Sequence, residues 1–188
     1  MIRLKILVLA IAGLFVSLLA GCADRPLLAE PVNVGSGPYV LGSGDKLRIV
    51  VYDQPSLTNL YEVDASGDIS MPLVGDVPAD GSTVDELAQR IERRLASGYL
   101  REPNVTVEVA IYRPFFVLGE VTTPGQFSYV PGLTAEMAVA IAGGFTDRAN
   151  KRFVRISRTV NGTLFESRVL VIEPIRPGDT IYVPESIF

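Results

Sequence analysis

The first 22 residues limit which part of this chain can fold into a domain. Basic Arg3 and Lys5 precede an apolar run from residue 6 to residue 19, and small residues follow it. This layout is typical of a secretory signal peptide, which is removed from the mature protein. The apolar run is also shorter than the roughly 20 residues that a membrane-spanning helix needs. We therefore predict that residues 1–21 are cleaved and that the folded part lies after them.

The chain has one cysteine, Cys22, which directly follows Leu19, Ala20 and Gly21. Leu-Ala-Gly-Cys is the pattern of a bacterial lipobox, in which the cysteine is acylated. The alternative is an ordinary signal peptide with a chance cysteine, but an unpaired thiol is a liability in an oxidising compartment. Several acyl chains on one residue give a stable anchor, at about 0.8 kcal/mol for each buried CH₂. We predict lipidation at Cys22, and Ala23 at the next position favours the outer membrane, with the protein facing the periplasm.

Beyond the signal peptide, the sequence predicts a tether and two folded units in an α+β fold. Residues 22–38 are rich in proline, glycine and small residues without periodicity, which suits a lipidated tether. Residues 39–113 and 114–188 each combine strand patterns with one helix pattern, and Pro114 breaks the pattern between them. The predicted domains are therefore 39–113 and 114–188, the second ending in a C-terminal strand.

The first unit contains the clearest strand pattern in the chain. Apolar residues alternate with others along residues 47–51 and 105–111, which indicates half-buried strands. Thr83 and Glu86 have the spacing of a capping box at the start of an amphipathic helix. Residues 61–64 and 69–74 flank a polar turn and predict a hairpin.

The second unit carries strong turn and cap signals. Asn-Gly at residues 161–162 predicts a hairpin between strands 153–158 and 164–170. Thr134 is a candidate cap for a short helix that ends at the glycine pair 143–144. Further strands are predicted at residues 115–121, 126–130 and 180–183.

A Gly-Asp pair precedes a predicted strand in both units. Gly44-Asp45 stands before residues 46–49, and Gly178-Asp179 stands before residues 180–183. Aspartate in such a turn accepts hydrogen bonds from nearby backbone amides. We interpret the pair as a shared turn, with a ligand site as the alternative.

Composition excludes several classes of function. The chain has no histidine, which removes Ser-His and Cys-His nucleophilic pairs and most catalytic zinc sites. Neither a phosphate-binding loop nor a dinucleotide motif is present, so we expect no cofactor and no metal. Two carboxylates facing one cleft could still hydrolyse a glycoside, but the acidic residues are scattered. We predict that the protein is not an enzyme.

Charge argues against nucleic acid as a ligand. The chain has 17 basic and 21 acidic residues, and removal of the signal peptide takes away two basic residues and no acidic ones. Phosphate binding needs clustered basic residues. The longest basic cluster, Lys151 and Arg152 with Arg155 and Arg158, alternates with apolar residues. We interpret it as the solvated face of a strand.

Five stretches of the sequence, in this order, form a recognisable set: residues 39–52, 67–75, 103–107, 117–125 and 133–149. The set resembles the bacterial polysaccharide export family of outer-membrane lipoproteins. The first three stretches look like its N-terminal polysaccharide export domain, and the last two look like a soluble ligand-binding β-grasp (SLBB) module. The resemblance implies structural roles for a set of turn and backbone positions, which are Gly44, Asp45, Gly119, Pro124, Gly125, Gly143 and Gly144.

The resemblance also implies a function and partners. Family members assemble into rings that enclose a periplasmic passage for capsular or extracellular polysaccharide, so we expect a homo-oligomer with a polysaccharide substrate. The sequence contains one SLBB module and ends without an amphipathic helix of membrane length. We therefore expect a short-type exporter that needs an outer-membrane β-barrel partner and an inner-membrane polysaccharide copolymerase. The alternative is a monomeric periplasmic lipoprotein that binds a glycan or a protein partner.

Overall fold

The structure is a computed structural model that describes residues 37–160 and 162–186. The predicted signal peptide, the lipobox residues Leu19, Ala20 and Gly21, and Cys22 lie outside these residues. So does Asn161 of the predicted hairpin turn.

The first half of the described chain combines two small sheets with one helix. Three antiparallel strands, in the order β2-β1-β5, form the larger sheet, and β3 and β4 form a separate antiparallel hairpin. The elements are β1 (Lys46–Val51), β2 (Asn59–Glu62), β3 (Asp68–Met71), β4 (Gly75–Pro78), α1 (Val84–Ala96) and β5 (Val105–Ile111).

The helix α1 begins at the predicted capping box. Thr83 Oγ1 accepts a hydrogen bond from the backbone N–H of Glu86, and the Glu86 carboxylate accepts one from the N–H of Thr83. Such caps stabilise a helix by about 1 kcal/mol. The hydrogen bond from the Thr83 N–H to the carboxylate, with a smaller contribution from the Thr83 side chain, lowers the pKa of the Glu86 carboxyl below its usual value. The buried face of α1 consists of Leu87, Ile91 and Leu95.

The predicted hairpin around residues 65–68 is wrong. Strand β2 pairs with β1, whereas β3 pairs with β4, so the turn joins two different sheets. The physical reason lies within the segment predicted as the second strand. Leu73 and Gly75 adopt positive φ angles of 71° and 69°, which reverse the chain after Met71.

The second half is built on one five-stranded sheet in the order β7-β6-β10-β8-β9. The central pair β6 and β10 is parallel, and the other neighbours are antiparallel. The predicted helix after Thr134 and the predicted 153–170 hairpin are both present. The elements are β6 (Phe115–Gly119), β7 (Gly125–Phe127), α2 (Ala135–Ile141), β8 (Phe153–Val160), β9 (Thr163–Leu170) and β10 (Thr180–Val183).

Each half has its own hydrophobic core, and the α+β class is confirmed. The first core extends from Leu41 to Val107 and includes the buried face of α1. The second extends from Phe115 to Val183 and lies between α2 and one face of the five-stranded sheet. Within the described ranges, no helix has the length and apolar character needed to cross a bilayer.

Candidate functional site

The first Gly-Asp turn holds a fully buried carboxylate. Asp45 stands two residues before Leu47, so the alternation of β1 turns its side chain toward the core. Its Oδ2 accepts hydrogen bonds from the Gly42 N–H (2.9 Å) and the Tyr39 hydroxyl (2.6 Å), and its Oδ1 accepts one from the Arg113 N–H (2.8 Å). The guanidinium of Arg113 completes the set at 3.1 Å from Oδ2.

Arg113 connects the two halves of the molecule. It lies between β5 and β6, and its Nη1 donates to the Tyr39 hydroxyl at 3.2 Å. Its Nε donates to the carbonyl of Pro177, in the second Gly-Asp turn, at 3.2 Å. One arginine therefore bonds to both turns. We call Asp45, Tyr39, Arg113 and the Pro177 carbonyl the arginine clamp.

Two glycines give this guanidinium its space. A Cβ atom at Gly42 would lie 2.1 Å from Arg113 Nη1, and one at Gly178 would lie 2.8 Å from Nε. Gly178 also has a positive φ of 84°. The close approach of Arg113 thus requires glycine on both sides.

The second Gly-Asp turn repeats the arrangement with a different arginine. Asp179 is fully buried, and its Oδ2 accepts a hydrogen bond from the Arg176 N–H at 2.7 Å. Arg158 donates to both carboxylate oxygens, from Nε at 2.7 Å and from Nη2 at 2.5 Å. This is the bidentate geometry in which arginine binds carboxylates most strongly.

The position of Arg158 corrects the prediction of a solvated strand face. Arg158 shares the inward face of β8 with Val154 and Ile156, because residues two apart in a strand point the same way. Its side chain is 11% exposed. Arg155 has the opposite parity and is exposed. The cluster was read as one face although its two last arginines lie on opposite faces.

A polar cleft of about 320 Å³ lies beside the arginine clamp. It is lined from the first half by Ser43 and Asp80, and from the second half by Thr159 and Gly178. Arg113 and Arg158 both reach it. An adjoining pocket of about 360 Å³ continues past Tyr39 and Leu41.

The electrostatics of the arginine clamp favour a structural role over proton transfer. Burial, together with the hydrogen bond to Asp45, raises the pKa of the Tyr39 hydroxyl well above its usual value. The Asp45 carboxylate receives donors on both oxygens and is paired with a cation, as is that of Asp179. Within residues 37–160 and 162–186, no group of His, Cys, Asp or Glu side chains is arranged to hold a metal ion.

Most of the glycine positions singled out from the sequence lie in the second half, at the end of β6, at the start of β7 and after α2. Gly119 ends β6 with a φ of 86°, and a Cβ there would lie 2.2 Å from the Val183 carbonyl oxygen. Gly143 and Gly144 follow α2, and the Gly144 carbonyl accepts a hydrogen bond from the Thr122 N–H at 3.0 Å. Pro124 directly precedes β7, Gly125 begins it, and Gly44 has a φ of 92° in the first turn.

Sequence reasoning named the Gly-Asp turns but missed their partners. Tyr39, Arg113 and Arg158 lie 6, 68 and 21 residues away from the aspartates they bind. A signal did exist in the parity of the strands. Asp45, Asp179 and Arg158 each occupy a core-facing position, where a charge needs a partner.

Comparisons with known proteins assign a family description to each half. Residues 34–110 match the family described as Polysaccharide biosynthesis/export protein. Residues 114–165 match the SLBB domain. The two matches meet within a few residues of Arg113. The first spans the whole first core, and the second spans the second core as far as Ile156, short of Ile175, Ile181 and Val183.

Curated relatives include three kinds of protein. The exopolysaccharide production protein ExoF of Rhizobium meliloti is 35% identical over 79% of this chain and 41% of its own length. The EPS I polysaccharide export outer membrane protein EpsA of Ralstonia nicotianae is 34% identical over 83% of this chain and 46% of its own. The polysialic acid transport protein KpsD of Escherichia coli is 26% identical over 80% and 29%. The chain thus spans less than half the length of these relatives.

Proposed function

We propose that this chain, whose first half matches the polysaccharide export family and whose second half matches the SLBB domain, is a component of a machinery that exports polysaccharide across the periplasm and the outer membrane. The observation that carries this proposal is the order of the two matched domains, each on its own core. The names of the relatives support it, since they include an exopolysaccharide production protein and two kinds of polysaccharide export or transport protein.

The proposed mechanism is passage through a ring of identical copies. A closed ring requires every copy to present the same two surfaces to its neighbours. The arginine clamp supports this, because it ties the turn before β1 to the turn before β10 and so fixes one domain against the other. No residue is assigned a catalytic role, and the substrate is a polysaccharide chain in transit.

The proposed location is the periplasmic side of the outer membrane, held there by lipid on Cys22. An outer-membrane β-barrel and an inner-membrane polysaccharide copolymerase are the proposed partners. The lipid is tested by feeding cells a labelled palmitate analogue. We expect label on the wild-type protein and none on Cys22→Ser, since serine has no thiol to acylate. Equal labelling of both proteins would contradict the anchor.

The export role is tested by deleting the gene from its host and measuring secreted polysaccharide. We expect the secreted polymer to fall and polymer to accumulate within the cell envelope, because synthesis continues while the exit is missing. A plasmid copy of the wild-type gene should restore secretion. Unchanged secretion in the deletion strain would contradict the proposed function.

A further inference from the structure

Two arginines face each other across strands β8 and β9. Arg155 pairs with Arg168 in the register of the hairpin, and both side chains are exposed. Like charges at directly opposite positions destabilise a strand pair. Among the residues that the structure describes, neither arginine forms an ion pair. The hairpin therefore carries an unfavourable contact that a bound anion would relieve.

Aromatic rings hold the two guanidinium groups in place. Arg155 lies 4.4 Å from the ring centroid of Tyr182, and Arg168 lies 4.3 Å from that of Phe153. Stacking on a ring fixes the plane of a guanidinium while its N–H groups remain available at the edges. Arg152 adds a third cation at 5.5 Å from the Phe153 ring. The arrangement is prepared for a planar anion such as a carboxylate.

The arginine pair belongs to a longer cross-strand row on the outer face of the sheet. The register aligns Leu118, Tyr182, Arg155 and Arg168 across strands β6, β10, β8 and β9. Four strands at the usual spacing make this row about 14 Å long. The next row consists of Gln126, Phe116, Thr180, Ser157 and Glu166. We call these two rows the outer sheet face.

The outer sheet face has a charge that suits an acidic carbohydrate. Arginine and aromatic side chains are also enriched at protein interfaces, so they do not identify the ligand by themselves. The two arginines outweigh the one carboxylate of these rows, Glu166, while Gln126, Thr180 and Ser157 supply amide and hydroxyl groups that can hydrogen-bond a sugar. The chain as a whole is acidic, with a formal charge of −4, so this face is a local site of positive charge. This charge, together with the proposed export function, favours an acidic carbohydrate over a protein partner.

We propose that the outer sheet face binds acidic polysaccharide, with a sugar carboxylate bridging Arg155 and Arg168 and neighbouring sugars lying along the two rows. This inference rests on the proposed export function and specifies its substrate class. The contacts are exposed and screened by salt, so the binding is weak and reversible, as transit of a polymer requires.

The test measures binding of two fluorescent oligosaccharides of equal length to the lipidated full chain in detergent, at low salt. One probe is an oligogalacturonate, which carries a carboxylate on each sugar, and the other is a neutral maltooligosaccharide. We expect the wild type to prefer the acidic probe. The double variant R155Q/R168Q should bind it about tenfold more weakly, because two charge-assisted contacts are lost.

The matched control is R93Q/R101Q, which removes the same charge from exposed positions outside the outer sheet face. It should bind the acidic probe as the wild type does. R155Q/R168Q should also melt close to the wild type, because removal of the like-charge contact offsets the lost stacking on Tyr182 and Phe153. Equal binding of both probes, or equal weakening by both double variants, would overturn the proposal.

Two further outcomes separate this inference from the export role. If R155Q/R168Q changes the oligomeric mass but leaves acidic binding intact, the face is a contact between copies and the proposal is wrong. If gene deletion blocks secretion while R155Q/R168Q binds the acidic probe like the wild type, the export role is supported and the proposed binding face is wrong. If deletion leaves secretion unchanged, the proposed export role is wrong, regardless of the binding result.

Discussion

The Asp45 side chain is fully buried, and the cation that neutralises it, Arg113, lies 68 residues further along the chain. Removing one partner of a buried pair leaves an uncompensated charge, at a cost of about 3–5 kcal/mol. Because the Arg113 side chain is 24% exposed, we expect Arg113→Ala to lower the free energy of unfolding by about 3 kcal/mol, at the lower end of that range. Urea denaturation of the wild-type and variant proteins measures this change.

The control for Arg113 is Arg93→Ala, an exposed position on α1. Surface substitutions of this kind change stability by about 0.5 kcal/mol or less. If Arg113→Ala unfolds at the same urea concentration as Arg93→Ala, the arginine clamp does not hold the two halves together.

Tyr39 gives the arginine clamp a dependence on alkaline pH. Burial and the hydrogen bond to Asp45 raise the pKa of its hydroxyl, so the folded state favours the protonated form. The resulting stability is complete below the unfolded pKa of about 10 and is lost as pH rises above it. Tyr61 and Tyr129 also have raised pKa values. We expect Tyr39→Phe to flatten, without abolishing, the fall in unfolding free energy above about pH 10.

The measurement is a series of urea unfolding curves on both sides of that pH. The useful quantity is the slope of unfolding free energy against pH, since Tyr39→Phe also removes a hydrogen bond at every pH. Identical slopes for the two proteins would show that Tyr39 titrates as it does in the unfolded chain.

Single residues show how far the sequence could be interpreted. The aspartate turns were predicted because Gly-Asp before a strand is a local pattern. The arginines could not be assigned, since Arg113 and Asp45 come together only after β1 and β5 pair. The alternation of buried and exposed positions along the strands is consistent with burial of Asp45 and Arg158, but it does not identify the residues that neutralise their charges.

Among the elements, the parallel pair β6 and β10 depends on a glycine. Gly119 lies opposite Val183 in the register, where a Cβ would meet the Val183 carbonyl oxygen at 2.2 Å. Gly144 has a similar φ of 89° but open space around its Cβ position. A left-handed conformation alone costs alanine about 1–2 kcal/mol. We expect Gly144→Ala to lose about that amount, and Gly119→Ala to lose more because the backbone must also shift.

Thermal unfolding of the two alanine variants compares these costs directly, since both substitutions add one methyl group. A lower melting temperature for Gly119→Ala than for Gly144→Ala is the expected result. Equal melting temperatures would mean that the close contact between β6 and β10 is relieved without loss of pairing.

The elements differed in how well the sequence predicted them. Strands β1, β5 and β10 and the helix α1 were predicted because period and caps agree locally. The hairpin at residues 61–74 was wrong because its predicted second strand ran through Pro72, which with Gly75 marks the turn between β3 and β4. The parallel pairing of β10 with β6 joins elements at opposite ends of the second half, which no local pattern encodes.

At the scale of the molecule, the arginine clamp joins two halves that each have their own hydrophobic core. The resemblance to the polysaccharide export family, found from motifs in the sequence, is confirmed by the two domain matches. The lipid on Cys22, the ring and both membrane partners stay predictions, because they depend on other chains or on residues outside the described ranges. The sequence pattern of one chain predicts its own core residues far better than it predicts the surfaces that contact other copies.

The claim that copies of this chain surround a passage is tested most directly by the mass of the lipidated protein extracted in detergent. Light scattering gives that mass, and negative-stain images of the same sample show the shape. We predict a closed ring of several subunits with a central opening. A monomer that persists at high protein concentration, both alone and with the membrane partners added, would contradict the ring and favour a monomeric glycan-binding lipoprotein.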